Sequence, residues 1–199
     1  MSETRIPVQK RSLEKKTRML NIGFQLFCQN GYHRTTTIDI AKQSNISTGA
    51  LYSYFKNKDE IFVAAFEQYL SESSNLLFEQ MNAIPQPFYL PAFIKSWIQI
   101  YAEIFASSNQ ALAQLRIVMA ENKKINRHFC DFENEYILGI VRILNNNQFF
   151  SDHLPEKIYN SCILIDSLSR EKSACRHTGL NAALLEEQVN QMILHLLLS

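Results

Sequence analysis

The stretch from Gly31 to Glu60 constrains the fold more than any other part of this chain. It reads GYHRTTTIDIAKQSNISTGALYSYFKNKDE. Thr36-x-x-Asp39 is a capping box, in which the hydroxyl accepts a backbone N–H and the carboxylate reaches back to the cap. A short helix starts there, with Ile40 and Ala41 facing inward. Asn45 stands where the chain must turn, and asparagine tolerates the left-handed conformation better than most residues. Ile46 buries itself at the corner, and Ser47 caps a second helix that runs about two turns to Phe55. Leu51 and Phe55, at i and i+4, face inward. Thr48, Gly49, Ala50, Tyr52, Ser53 and Tyr54 then lie outward or at the exposed N-terminal end. Asn57-x-x-Glu60 opens a third helix with Lys58 in its first turn. Two short helices around a tight break, with polar and aromatic residues outside, have the geometry of a helix-turn-helix. Such an element lays one helix in the DNA major groove. Gly49 is a poor helix former, and suits a backbone that must approach a phosphate or base edge closely.

Helices flank this stretch on both sides. Ser12 reads as the cap of a first helix ending at Asn30-Gly31, with Leu13, Leu20, Phe24 and Phe27 as its buried stripe. The helix opened at Asn57 carries Ile61, Phe62, Ala65, Phe66, Tyr69 and Leu70 and extends to about Met81. Pro85, Pro87 and Pro91 break the chain after it. Ile94, Trp97, Ile98, Tyr101 and Phe105 form the next stripe, followed by Leu112, Leu115 and Met119 on a shorter helix. A long helix carries Ile125, Phe129, Phe132, Tyr136, Ile140 and Leu144 up to the stop Asn145-Asn146-Asn147. Pro155 opens a helix whose run Cys162–Ile165 is apolar all round and is therefore expected to be covered on both sides. The last helix holds Leu184, Leu185, Val189, Met192, Ile193, Leu196 and Leu197. The expected class is all-α.

Gly31, Tyr32, Thr35, Thr36, Ile40, Ala41, Ser47, Gly49, Leu51, Tyr52, Tyr54, Phe55 and Lys58 together match a long pattern that mixes caps, core and contact positions. In these residues the chain resembles the TetR (TetR/AcrR) family of bacterial transcriptional regulators, over roughly residues 15–65. The resemblance implies an N-terminal three-helix DNA-binding domain, taken as 1–60, and a C-terminal helical ligand-binding and dimerisation domain, 61–199. It also implies DNA contacts from Thr36, Thr37, Ser47, Thr48, Gly49, Ala50, Tyr52, Ser53, Tyr54 and Lys58. Tyr52 and Lys58 are assigned to phosphates, and Thr48, Ala50 and Ser53 are placed nearer base edges. In that family the central body helices enclose an inducer pocket, which assigns Trp97, Tyr101, Phe129, Phe132 and Tyr136 to a ligand-binding wall. An ordinary packed core explains each of these aromatics equally well.

The charge distribution agrees with a DNA-binding head. Residues 1–60 carry ten Lys/Arg against five Asp/Glu, whereas residues 61–199 carry ten against fourteen. A basic front and a mildly acidic back fit DNA at one end only. A two-turn recognition helix reads too few base pairs alone, so a two-fold axis is expected. Ile165, Leu168, Leu185, Val189, Met192 and Leu196, on the last two helices, are assigned to a four-helix homodimer interface.

Other classes find little support. The five glycines never cluster into a phosphate-cradling loop, and no nucleophile elbow or H-E-x-x-H motif occurs. His128-x-Cys130 and Cys175-x-His177 place their members at i and i+2, which do not face each other on a helix. No metal, cofactor or catalytic residue is expected, and reduced cysteines suit the cytoplasm. No secretory signal opens the chain, and no apolar run approaches the ~20 residues of a membrane span. The sequence therefore reads as a dimeric, ligand-responsive regulator, a repressor, of a palindromic double-stranded DNA operator. The effector is expected to be a small apolar or aromatic molecule. An architectural DNA binder without a ligand is the alternative, and an all-helical enzyme or binding module the next.

Overall fold

The computed structural model describes residues 5–105, 109–173 and 177–199. Cys175 and Arg176 lie outside the described residues. Nine α-helices and no strand occur among those described. They are α1 (Arg5–Asn30), α2 (Thr37–Gln43), α3 (Thr48–Tyr52), α4 (Lys58–Asn82), α5 (Leu90–Phe105), α6 (Asn109–Glu121), α7 (Lys123–Asn146), α8 (Leu154–Ser173) and α9 (Ala182–Leu198). The all-α expectation holds, and most helix limits fall within a residue or two of the sequence signals.

The chain packs as two compact units, Met1–Ser71 with Gln110–Asn126, and Glu72–Asn109 with Arg127–Ser199. The first unit is built on an aromatic core. Phe27 meets Phe62 edge-on at 5.1 Å, and Phe62 stacks on Phe66 at 4.3 Å. Phe24 stacks on Tyr69 at 4.7 Å. Met19 of α1, Ile61 of α4, Ile40 of α2, Leu51 of α3 and Phe55 just after α3 complete the buried core. Thr35 is buried below the head of α2, its hydroxyl donating to the carbonyls of Leu26 and Gly31 at 3.1 and 2.8 Å.

In the second unit α5, α8 and α9 pack on one another. Phe93, Ile94, Trp97, Ile98, Ile158, Ile165, Ile193 and Leu197 are buried there. Phe78, near the end of α4, stacks on Tyr136 of α7 at 5.5 Å. A Cβ on Gly139 would run into that Phe78 ring, so this contact is built for glycine.

Three sequence expectations need correction. Helix α1 begins at Arg5 rather than at Ser12, which lies inside the helix. The Ser12 hydroxyl pairs with Tyr54 Oη at 3.0 Å and caps nothing. Leu13 is 65% exposed, because the buried stripe of α1 starts only at Met19, where the helix meets its neighbours. Helix α3 is one short turn, capped by Ser53, and does not reach Phe55. Within the single chain the apolar run of α8 is covered on one side: Ile165 is buried and Ile163 is 50% exposed.

Candidate nucleic-acid interface

The local chemistry of residues 35–60 sets the geometry of the candidate reader. Thr36 caps α2 through a complete capping box: its Oγ1 accepts from Asp39 N at 3.1 Å, and Asp39 Oδ2 accepts from Thr36 N at 3.1 Å. The Thr36 hydroxyl also donates to Asp39 Oδ2 at 2.6 Å, and these bonds hold the Asp39 carboxyl below its usual range. Asn45 adopts φ 55, the left-handed turn that aims α3 across α2. Ser47 Oγ accepts from Ala50 N at 3.1 Å and caps α3. Leu51, fully buried, anchors this short helix to the core.

The outward face is what the anchoring leaves over. Tyr52 is half exposed and its hydroxyl pairs with Thr37 Oγ1 at 3.1 Å, joining the outer faces of α2 and α3. Ser53 is exposed and donates to Ala50 O at 2.7 Å. Thr48 and Ala50 are half-buried, and Gly49 is exposed, with no atom within 4 Å of where a Cβ would stand. The protein's own packing therefore makes no demand for glycine at position 49. Tyr54 turns back toward Ser12 of α1. Ser47, Gly49, Tyr52 and Ser53 are thus exposed, as is Thr36 at the head of α2, and half-buried Thr37 joins them through its bond to Tyr52.

Lys58, expected from the sequence to meet a phosphate, makes contacts within the protein. Its ammonium donates to the carbonyls of Tyr32 and Thr35 at 2.9 and 3.1 Å and rests 4.2 Å from the Tyr32 ring centre. Desolvation lowers its pKa, against the opposing charge of Asp59. Two of its N–H bonds thus tie α4 to the segment before α2.

Sequence periodicity missed the supports of this reader. Tyr32 donates its hydroxyl to Asp59, and burial with that carboxylate raises the phenol's pKa. Gln114 Oε1 accepts from Tyr32 N at 3.4 Å, His33 Nε2 pairs with Glu121 Oε2 at 2.6 Å, and Asn122 donates to Asp59 at 3.2 Å. These pairs lie 63 to 88 residues apart, beyond the reach of any local pattern.

The assigned ligand-wall residues all lie in the second unit. Trp97 is fully buried and donates to Tyr136 Oη at 3.2 Å, while Tyr101 donates to Asp166 at 3.2 Å. Phe129 is buried, and Phe132 and Tyr136 are half-buried. Burial, chiefly, raises the Tyr136 phenol well above its usual range. The Cys162 thiol is pushed up to about 12 by burial and then by Glu133. A cavity of about 630 Å³ is lined by residues that include Lys172, His177, Leu180 and Leu185 and by none of the five aromatics named. Of the assigned dimer residues, Ile165 and Leu168 are buried within the chain's own unit. Met192 is 53% exposed, and Leu185, Val189 and Leu196 are half-buried. Among the described residues no three His, Cys, Asp or Glu side chains are grouped to hold a metal, and no helix is long and apolar enough to cross a membrane.

A capped two-helix reader anchored on the aromatic core of α1 and α4 defines a helix-turn-helix protein. Residues 20–65 match the family described as bacterial regulatory proteins, tetR family. The uncharacterized HTH-type transcriptional regulator YerO of Bacillus subtilis is 39% identical over 62 residues, which is 31% of this chain and 22% of YerO. The HTH-type transcriptional regulator QacR of Staphylococcus aureus is 27% identical over 130 residues, 61% of this chain and 64% of QacR. Each match spans less than two thirds of the relative's own length. The fold of Salmonella enterica GusR superimposes with a TM-score of 0.73 at 17% identity, covering 94% of this chain and 97% of that one. Over residues 20–65 the chain is therefore similar to the tetR family of bacterial regulatory proteins.

Proposed function

We propose that this chain is a sequence-specific, ligand-responsive DNA-binding repressor that acts as a homodimer. The observation that carries the reading is the exposed rim of α2 and α3, where Thr36, Ser47, Gly49, Tyr52 and Ser53 face outward on a capped and anchored support. In this reading residues 1–60 read DNA, and 61–199 bind the effector and pair the subunits. Tyr52 and Thr36 meet phosphates, and Thr48, Ala50 and Ser53 approach base edges from the start of α3. Tyr54 supports the reader from behind. Lys58 acts mainly through the segment it holds and offers its remaining N–H to the backbone of DNA. Two copies would set their recognition helices about one DNA turn apart, ~34–36 Å. Leu185, Val189, Met192 and Leu196 of α9 form the apolar contact between copies, continued by exposed Ile163 of α8.

The effector is a small apolar or aromatic molecule bordered by Trp97, Tyr101, Phe129, Phe132 and Tyr136. It acts by moving α4 and α7, each of which has residues in both packing units. Switching the dimer from mostly bound to mostly released requires a preference for the released state of about 5 kcal/mol. The architectural alternative draws on one observation: Trp97 and Tyr136 already satisfy each other by a hydrogen bond, as core residues do.

The test is to capture genomic fragments on the full chain and measure their affinity by fluorescence anisotropy across salt concentrations. A palindromic motif, an affinity that falls steeply with salt, and release by an apolar or aromatic molecule that alters Trp97 fluorescence are the expected results. Binding with no sequence preference and no responsive molecule would establish the architectural reading instead.

A further inference from the structure

Asn122 occupies the corner between α6 and α7 and works in two directions. Its Oδ1 accepts from the backbone N–H groups of Lys124 and Ile125 at 3.1 and 3.2 Å, which caps α7. Its Nδ2 donates to Asp59 Oδ2 at 3.2 Å, in the first turn of α4. The other Asp59 oxygen accepts from the Tyr32 hydroxyl. Tyr32 O accepts from Lys58, as does Thr35 O, next to the Thr36 cap of α2. This chain of contacts runs through hydrogen bonds, the Tyr32 side chain and one peptide link, and all of it lies within one compact unit.

The residue type follows from that double duty. Serine, threonine or aspartate would cap α7 as well as asparagine does. Only asparagine supplies a capping oxygen together with an N–H₂ donor on so short a side chain. An aspartate at this position would keep the cap and set a second carboxylate against Asp59.

Resting on the DNA-binding reading, we propose that Asn122 is a positioning residue for DNA recognition: its amide couples the start of α7 to the start of α4, and through Asp59 and Tyr32 to the segment that orients α2 and α3. Gln114 and Glu121, which hold Tyr32 and His33 from α6, brace the same segment. The orientation of the reader is thereby linked to where α7 begins, and α7 carries Phe129, Phe132 and Tyr136.

The test uses the full chain and a DNA fragment captured by the wild type. Asn122→Asp keeps the α7 cap and removes the link, so binding should weaken about tenfold, the size of one charge-assisted hydrogen bond. The salt dependence should stay unchanged, because no phosphate contact is lost. Asn122→Ser also keeps a cap but adds no charge, and should weaken binding less. Adding Asp59→Asn to Asn122→Asp should restore affinity, because the amide introduced on α4 donates to the carboxylate introduced on the α7 cap and still accepts from Tyr32. Melting temperature is measured on each variant, and affinity is expressed per folded molecule. Wild-type affinity in Asn122→Asp, a loss explained by unfolding alone, or no rescue by Asp59→Asn would overturn the proposal. A wild-type chain that captures no fragment would instead remove the DNA-binding reading, and the proposal with it.

Discussion

Gly49 shows at the scale of one residue how function and stability part company. It stands in the first turn of α3, exposed, with open space where a methyl would go. Alanine favours helices over glycine by up to about 1 kcal/mol, so Gly49→Ala should leave the melting temperature equal or higher. The same methyl would stand between the α3 backbone and DNA, and should cost about 1 kcal/mol or more of binding, the order of one lost site contact. Melting and anisotropy on the same preparation check this, and unchanged DNA affinity would take the close approach away from position 49. Gly31 answers to a different demand. Its φ of 84 ends α1 in the left-handed region, and its Cβ position lies 3.3 Å from Gln114 Oε1. The glycine stop at 31 and the turn at Asn45 were both legible in the sequence, because each is a local backbone requirement. The inward turn of Lys58 was not, since its acceptors are carbonyls set by the return of a loop 23 and 26 residues away.

Single elements carry the next level of constraint. Helix α7 passes so close to α4 that Gly139 has no room for a side chain against Phe78, whose ring is itself stacked on Tyr136. Gly139→Ala should destabilise the fold by about 1–2 kcal/mol, overpacking offset in part by the better helix propensity of alanine. In a Phe78→Ala background the same substitution should become neutral or stabilising, because the clash is gone. Denaturant unfolding of the four variants reads the coupling directly, and additive effects would remove the clash as its cause. Helix α1 teaches the reverse lesson about element limits. Ser12 looks like a cap in sequence, yet the helix runs on to Arg5 and the hydroxyl serves Tyr54 instead. Pro7 is no obstacle there, because the first helical turn needs no N–H from it.

For the whole molecule, α8 and α9 carry several of the exposed apolar side chains. Met192, Leu184, Ile163 and Tyr159 are all large and substantially exposed in the single chain. Met192→Asp changes an exposed position, so the protomer should keep its melting temperature when studied as a monomer. If copies pair through α9, burying that charge without a partner is costly, and sedimentation equilibrium should show dissociation. An unchanged dimer would move the contact to another face.

The amino-acid sequence by itself determined the helical class, the position of the helix-turn-helix and the identity of its caps. Those features depend on residues within one or two turns of each other, where spacing and side-chain chemistry suffice. Tertiary structure decided which side of α8 is covered, that Leu13 stays in water, and that Lys58 faces inward. It also decided that the loop before α2 is held from Gln114, Glu121 and Asn122. These contacts join residues that no helical period relates, and only the packing of distant helices against one another brings their donors and acceptors within reach.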